Sequence, residues 1–230
     1  MLCCLAASGC ISSMKNGDIA AIGPTSDATR VGRVYLIRGL IGLFSVGIDR
    51  LGEEINAAGI HAQVFQEIQD PKMAAAMIAT YGPADRREPL VLIGHSVGAE
   101  DVITIARKLQ PHGIEVDLMI CLDATNPAKV PANVKQCVNY YQPSIMDYLP
   151  VLRGLALKAD ADFHGDLQNL NVKKERRDLL EWDTNHFNID KDKKIHADIL
   201  RRLEVLCPSR PPPSTSPATR CEGVDGSNFP

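Results

Sequence analysis

PLVLIGHSVGAEDVITIARKL, residues 89–109, sets one serine between two glycines at the point where a solid apolar run turns polar and helical. The pattern Gly94-His95-Ser96-Val97-Gly98 says little alone, because glycine makes up about 7% of average sequences. Its flanks carry the reading. Leu90, Val91, Leu92 and Ile93 form an uninterrupted apolar run, as a parallel strand buried on both faces does. Beyond the serine, Val102, Ile103, Ala106 and Leu109 recur at helical spacing. Glu100 and Asp101 fall in the first turn, Arg107 and Lys108 in the last, and Pro111 and Gly113 close it. Reversing from strand to helix in so few residues forces the central residue into strained backbone geometry, and side chains two positions to either side would collide. Gly94 and Gly98 remove that collision, which leaves the Ser96 hydroxyl projecting above a sheet beside a helix N-terminus. The competing reading is a glycine-rich turn that only packs helix against strand.

With 230 residues, 45% of them hydrophobic, the chain can bury one good core, so one catalytic domain is expected. A formal net charge of -3, with the lysines and arginines scattered among acids, offers no basic surface and argues against nucleic-acid binding. No apolar run approaches the length of a membrane span. The seven cysteines make no disulfide framework at this length, and no C-x-x-C or Cys/His cluster suggests zinc; the serine chemistry read below implies neither metal nor organic cofactor. Cys121 and Cys137 fall in two apolar runs read as neighbouring strands, where a buried free thiol is the commoner state.

The two ends differ from the middle. Residues 207–230 are dominated by Pro, Ser, Thr and Gly and are expected to form a disordered tail. Residues 1–30 read as a signal-like segment and linker: apolar and rich in small residues up to Cys10, then polar. This start resembles the end of a bacterial lipoprotein signal, which would make Cys10 a lipidation site and a point of membrane attachment. It departs from that pattern in lacking a positively charged opening and in having Ala7 where leucine is usual. The cell envelope and the cytoplasm both stay open as locations.

Between them, residues 31–206 alternate short apolar runs with helical patterns. RVYLIRG is a strand; Ile48, Leu51, Ile55 and Ala58 line one face of a helix ending at Gly59; IHAQVF is a strand. Asp70-Pro71 opens the next helix as cap and first-turn proline. After the Ser96 unit come the strands EVDLMICL and QCVNYY. Residues 143–175 break the rhythm and, with IMDYLPVLRGLAL, read as a small cap over a cleft or as one more core helix. RRDLLEW reads as a last short strand, and DKDKKIHADILRRLEVL as a closing helix capped by Asp190. The alternation predicts a mostly parallel sheet with helices on both faces.

A serine hydroxyl needs a base to take its proton, and the base needs a third group to hold its tautomer. Of six histidines, His61 sits in a strand start, His95 inside the turn, His112 at the far end of a helix and His196 within the closing helix. His164 and His186 remain, and His186, in WDTNHFNID, lies on the loop that emerges at the carboxyl edge where Ser96 points. Asp123 ends the strand LMICLD at the same edge, and a carboxylate closing a buried apolar run is costly without a partner. Asp147, beyond the next strand, is the rival acid.

The chain order Ser96, Asp123, His186 resembles that of the alpha/beta-hydrolase superfamily over roughly residues 31–206. The acid directly after the strand following the nucleophile's is similar to the arrangement in thioesterase domains. The resemblance implies a fold trimmed of its first two strands. It also implies an oxyanion hole built from the backbone N–H of Val97 and of Leu40, in the loop LIRGLIGLFS, with Arg38-Gly39 standing where many relatives have His-Gly. The activity implied is hydrolysis of a small carboxylic ester or thioester through an acyl-serine intermediate. An acyltransferase with the same triad, a peptidase and a non-catalytic binding module of the same fold are the competing readings.

Overall fold

The computed structural model describes residues 15–39, 46–82, 87–143, 154–182, 184–186 and 188–211. Among these residues, six strands form one sheet: β1 (Arg33–Ile37), β2 (His61–Phe65), β3 (Leu90–His95), β4 (Leu118–Leu122), β5 (Gln136–Tyr141) and β6 (Asp166–Asn171), in the spatial order β2-β1-β3-β4-β5-β6. Every pairing is parallel. In β1, β3 and β4 every residue is buried, which is why they read as solid apolar runs rather than as alternating ones.

Among the described residues, four helices cover the two faces: α1 (Val46–Ala57), α2 (Asp70–Thr80), α3 (Val97–Leu109) and α4 (Lys193–Leu206). On one face Ile48, Leu51 and Ile55 of α1 and Ile195, Ile199 and Leu203 of α4 pack on Val34, Leu36, Val91, Ile93 and Ile120. On the other, Met73 and Met77 of α2 and Val102, Ile103 and Ala106 of α3 pack on Tyr35, Ile37, Leu92 and Met119. Successive strand residues point to opposite faces, so each strand feeds both cores. At roughly 1.5–3 kcal/mol for each large apolar side chain fully buried, these two layers are the main stabilising term. In open sheets of this kind, chemistry gathers at the carboxyl ends of the strands.

Several expectations need correcting. The sixth strand is β6, inside the stretch 143–175 read as a cap; within RRDLLEW lies a short 3-10 turn, Arg177–Leu179, not a strand. DLQNLN lacks β-branched residues and, as an edge strand, buries only Asn171 fully, so it gives no apolar signal. The rest of the cap candidate, 144–153, and with it Asp147, lies outside the described residues. Gln69, not Asp70, is the N-cap of α2, with Pro71 in its first turn. The cap of α4 is Asp192, whose side chain accepts from the N–H groups of Lys194 and Ile195. Asp190 is buried instead beside the first turn of α1, where its carboxylate faces the N–H groups of Gly47 and Ile48, completes no hydrogen bond, and is pushed up by burial to about 6.

The folded part also extends past 31–206 at both ends. Gly17 donates its N–H to Val64, and Asn16 receives the Arg38 guanidinium at 3.3 Å, so this segment starts beside the carboxyl ends of β1 and β2. It then runs to the opposite edge of the sheet, where Arg30 pairs antiparallel with Ser209. Cys207 is buried, and Arg210 reaches the carbonyls of Ala28 and Ser26 and the carboxylate of Glu88. These contacts are polar and backbone-mediated, so composition does not register them.

Candidate active site

The turn after β3 is as tight as its glycines suggest. Ser96 has φ 55° and ψ -119°, and Asp123 has φ 52°; among the described residues these are the two non-glycine positions with positive φ. A Cβ on Gly94 would stand 2.1 Å from the carbonyl oxygen of Gly98, and one on Gly98 would stand 2.4 Å from that of Ile37. Neither position accepts a side chain without moving backbone. The Ser96 N–H bonds to the Leu122 carbonyl at 2.8 Å, which ties the corner to the next strand.

Asp123 ends β4 at the same edge. Its own N–H bonds to the Tyr140 carbonyl at 2.8 Å, and its Oδ1 accepts the N–H of Gln142 at 2.9 Å. Its Oδ2 lies 2.9 Å from His186 Nδ1, with the aspartate side chain wholly buried and the histidine side chain 9% exposed. Gly154 closes over it: a Cβ there would fall 1.8 Å from Asp123 Oδ1. On the other side of the ring, His186 Nε2 is 3.3 Å from Ser96 Oγ. A carboxylate can only accept, so Nδ1 carries the proton and Nε2 keeps a lone pair toward the hydroxyl.

A strand, a tight left-handed corner and a helix stand at the centre of an all-parallel sheet wound on both faces. The chain has the alpha/beta-hydrolase fold. No family model matches the sequence, and no curated protein matches it. Among solved structures, one match is YbtT, a type II thioesterase of the yersiniabactin pathway, at 18% identity and TM-score 0.33, over 45% of this chain and 46% of that one. Another is RedJ, a thioesterase of the prodiginine pathway in Streptomyces coelicolor, at 12% identity and TM-score 0.41, over 84% and 94%. A third is Est1E from Butyrivibrio proteoclasticus, at 11% identity and TM-score 0.44, over 80% and 91%. At such identities and TM-scores these likenesses decide nothing about chemistry; the strand order and the corner at Ser96 carry the fold.

Of the other residues singled out in the sequence, Val97 is the first residue of α3, so its N–H has no acceptor within the helix. Leu40, the second oxyanion candidate, and Cys10 lie outside the described residues. His164 is exposed and precedes β6, at the edge opposite Ser96. Arg38 is buried and pairs with Asp49 of α1 at 2.6 Å, so it braces the end of β1. Burial pushes the Asp49 carboxyl up in spite of that guanidinium.

His95 is the residue that sequence reasoning passed over. It is buried, its Nε2 lies 3.1 Å from the main-chain carbonyl of His186, and the two imidazole rings stand 5.7 Å apart. Burial, and then the neighbouring His186, push its pKa down to about 4, which keeps the ring neutral. Its place inside the corner was the only signal.

Proposed function

We propose that this protein is a serine hydrolase that cleaves carboxylic ester or thioester bonds through an acyl-Ser96 intermediate. What carries the reading is the hydrogen-bond chain from Ser96 through His186 to Asp123, built on two left-handed backbone corners at one edge of the sheet. Such corners cost on the order of 1–3 kcal/mol each and persist where the surroundings enforce them, characteristically at reactive sites. A turn that merely packs α3 on β3 has no use for a second strained residue at Asp123.

His186 Nε2 takes the serine proton as Oγ attacks the acyl carbon, and the imidazolium returns it to the departing alcohol or thiol. Water then attacks the acyl-enzyme with the same base, and Ser96 is released. Asp123 holds Nδ1 protonated and stabilises the transient imidazolium. The tetrahedral oxyanion is met by the N–H of Val97, with the positive end of α3 behind it, and by that of Leu40 as second donor. Because His95 stays neutral, the positive charge on His186 forms without a second cation 5.7 Å away. The acid directly after the strand that follows the nucleophile's supports a thioesterase-like member of the fold.

Incubation with a fluorophosphonate probe and mapping of the modified residue tests this. Labelling at Ser96, and loss of about 10⁶-fold in p-nitrophenyl ester turnover in Ser96→Ala, is expected. A wild type unmodified at Ser96, or an alanine variant with unchanged turnover, refutes it.

A further inference from the structure

His186 stands on a loop between β6 and α4, and ordinary secondary structure does little to hold it: among the described residues of that loop the regular elements are short 3-10 turns. Two buried histidines grip the main chain of that loop from different elements. His95, at the end of β3, faces the carbonyl of His186 itself at 3.1 Å. A carbonyl only accepts, so His95 donates from Nε2. His196, on α4, presents Nε2 to the carbonyl of Asp190 at 2.6 Å and Nδ1 to a carboxylate oxygen of Glu54 on α1 at 2.8 Å. Both of its nitrogens face acceptors, and its hydrogen bond to Glu54 holds that carboxyl below the usual carboxylate range. Arg50 in turn holds Glu54 at 2.9 Å. The close approach of α1 continues at Gly47, where a Cβ would lie 2.0 Å from the same Asp190 carbonyl oxygen.

We propose that His95 and His196 are positioning residues, which fix the backbone of the His186 loop so that the imidazole stays in line between Ser96 and Asp123. Neither touches substrate. The assignment rests on the serine-hydrolase reading for its kinetic consequence, but the tether itself is a statement about where His186 sits. Displacement of a catalytic group by about 1 Å costs up to ~10²-fold in rate, and these main-chain bonds oppose such a shift.

The test uses the full chain, uniformly labelled with ¹⁵N-histidine, and follows the Nδ1 proton that His186 shares with Asp123, assigned by its absence in His186→Gln. In His95→Leu and in His196→Leu this proton is expected to broaden by exchange, and kcat for a short-chain p-nitrophenyl ester to fall about 10- to 100-fold with KM nearly constant. His95→Gln, whose amide nitrogen takes the place of Nε2, is expected to restore both the resonance and most of the rate. A sharp, unshifted resonance with unchanged kcat in His95→Leu overturns the proposal, as does a glutamine variant no better than leucine. Should His95→Leu not fold by circular dichroism, His95→Asn replaces it, since its amide ends short of the carbonyl. A wild type inert to ester and fluorophosphonate, with the proton responding as stated, supports the tether and overturns the hydrolase reading.

Discussion

Ser96 and Asp123 sit at left-handed φ angles of 55° and 52°, so each side chain leaves its strand end in a direction that an extended residue could not offer. Asparagine tolerates the left-handed region better than most residues, so Asp123→Asn is expected to keep the fold while favouring the wrong tautomer of His186. A fall of up to about 10⁴ in turnover at unchanged thermal midpoint is the expected result, read by steady-state kinetics and melting together. His95 makes a different prediction. The unfolded chain protonates it near the ordinary histidine value of 6.5, the folded chain only at about 4. Folded His95 therefore contributes stability that is complete above pH 6.5 and drains away as pH falls toward 4, on the order of 3 kcal/mol across that window. Asp190, pushed up to about 6, acts in the opposite sense. Urea midpoints of wild type and His95→Gln compared over pH 4–7 isolate the histidine: the wild type should lose ground to the variant as the solution is acidified. An unchanged difference counts against a neutral, buried His95. Ser96 and Asp123 were legible because each ends an apolar run, and His186 because loops at the carboxyl edge are few. The task of His95 was not, since a bond to a main-chain carbonyl leaves no mark on the partner's side chain.

Among the elements, β3, its corner and α3 were readable because burial on both faces of a strand and on one face of a helix imposes distinct apolar periods. β6 was not, because four of its six residues are Asp, Gln or Asn and its two leucines are only partly buried; its ladder to β5 and polar contacts, such as Asn139 with Asn169 at 2.9 Å, hold it in place. The joint between β1 and α1 depends on a pair invisible to periodicity. Arg38→Met leaves Asp49 buried without its guanidinium and is expected to cost about 3–5 kcal/mol in urea unfolding, while Arg38→Met with Asp49→Leu should recover most of that. If the double variant is no more stable than the single one, the pair is not what holds the joint. Gly154→Ala drives a methyl to within 1.8 Å of Asp123 Oδ1. It should lower kcat by displacing the acid, with the fluorophosphonate rate at Ser96 falling in parallel.

For the molecule as a whole, composition suggested termini that begin and end outside the fold, whereas residues 15–30 and 207–211 belong to it. Glu88 is the reason: buried, it gathers the N–H groups of Ser26 and Gly32 and the guanidinium of Arg210, and these partners hold its carboxyl below the usual range although burial opposes them. Ending the chain after Cys207 removes Arg210 and should destabilise the protein by about 1–3 kcal/mol, measured by chemical denaturation. A truncated chain as stable as the full one would return residues 208–211 to the tail.

The course of residues 15–30 also bears on orientation. Because that segment starts beside Arg38 and finishes at the far edge, Asn16 stands at the same edge as Ser96, and Ser209 at the other. Cys10 is six residues upstream of Asn16, a reach of at most about 20 Å when extended. An attachment at Cys10 would therefore hold the reactive edge toward the anchoring surface, with little room for bulky soluble substrates. A graft through the C-terminus would turn the same edge outward to solution.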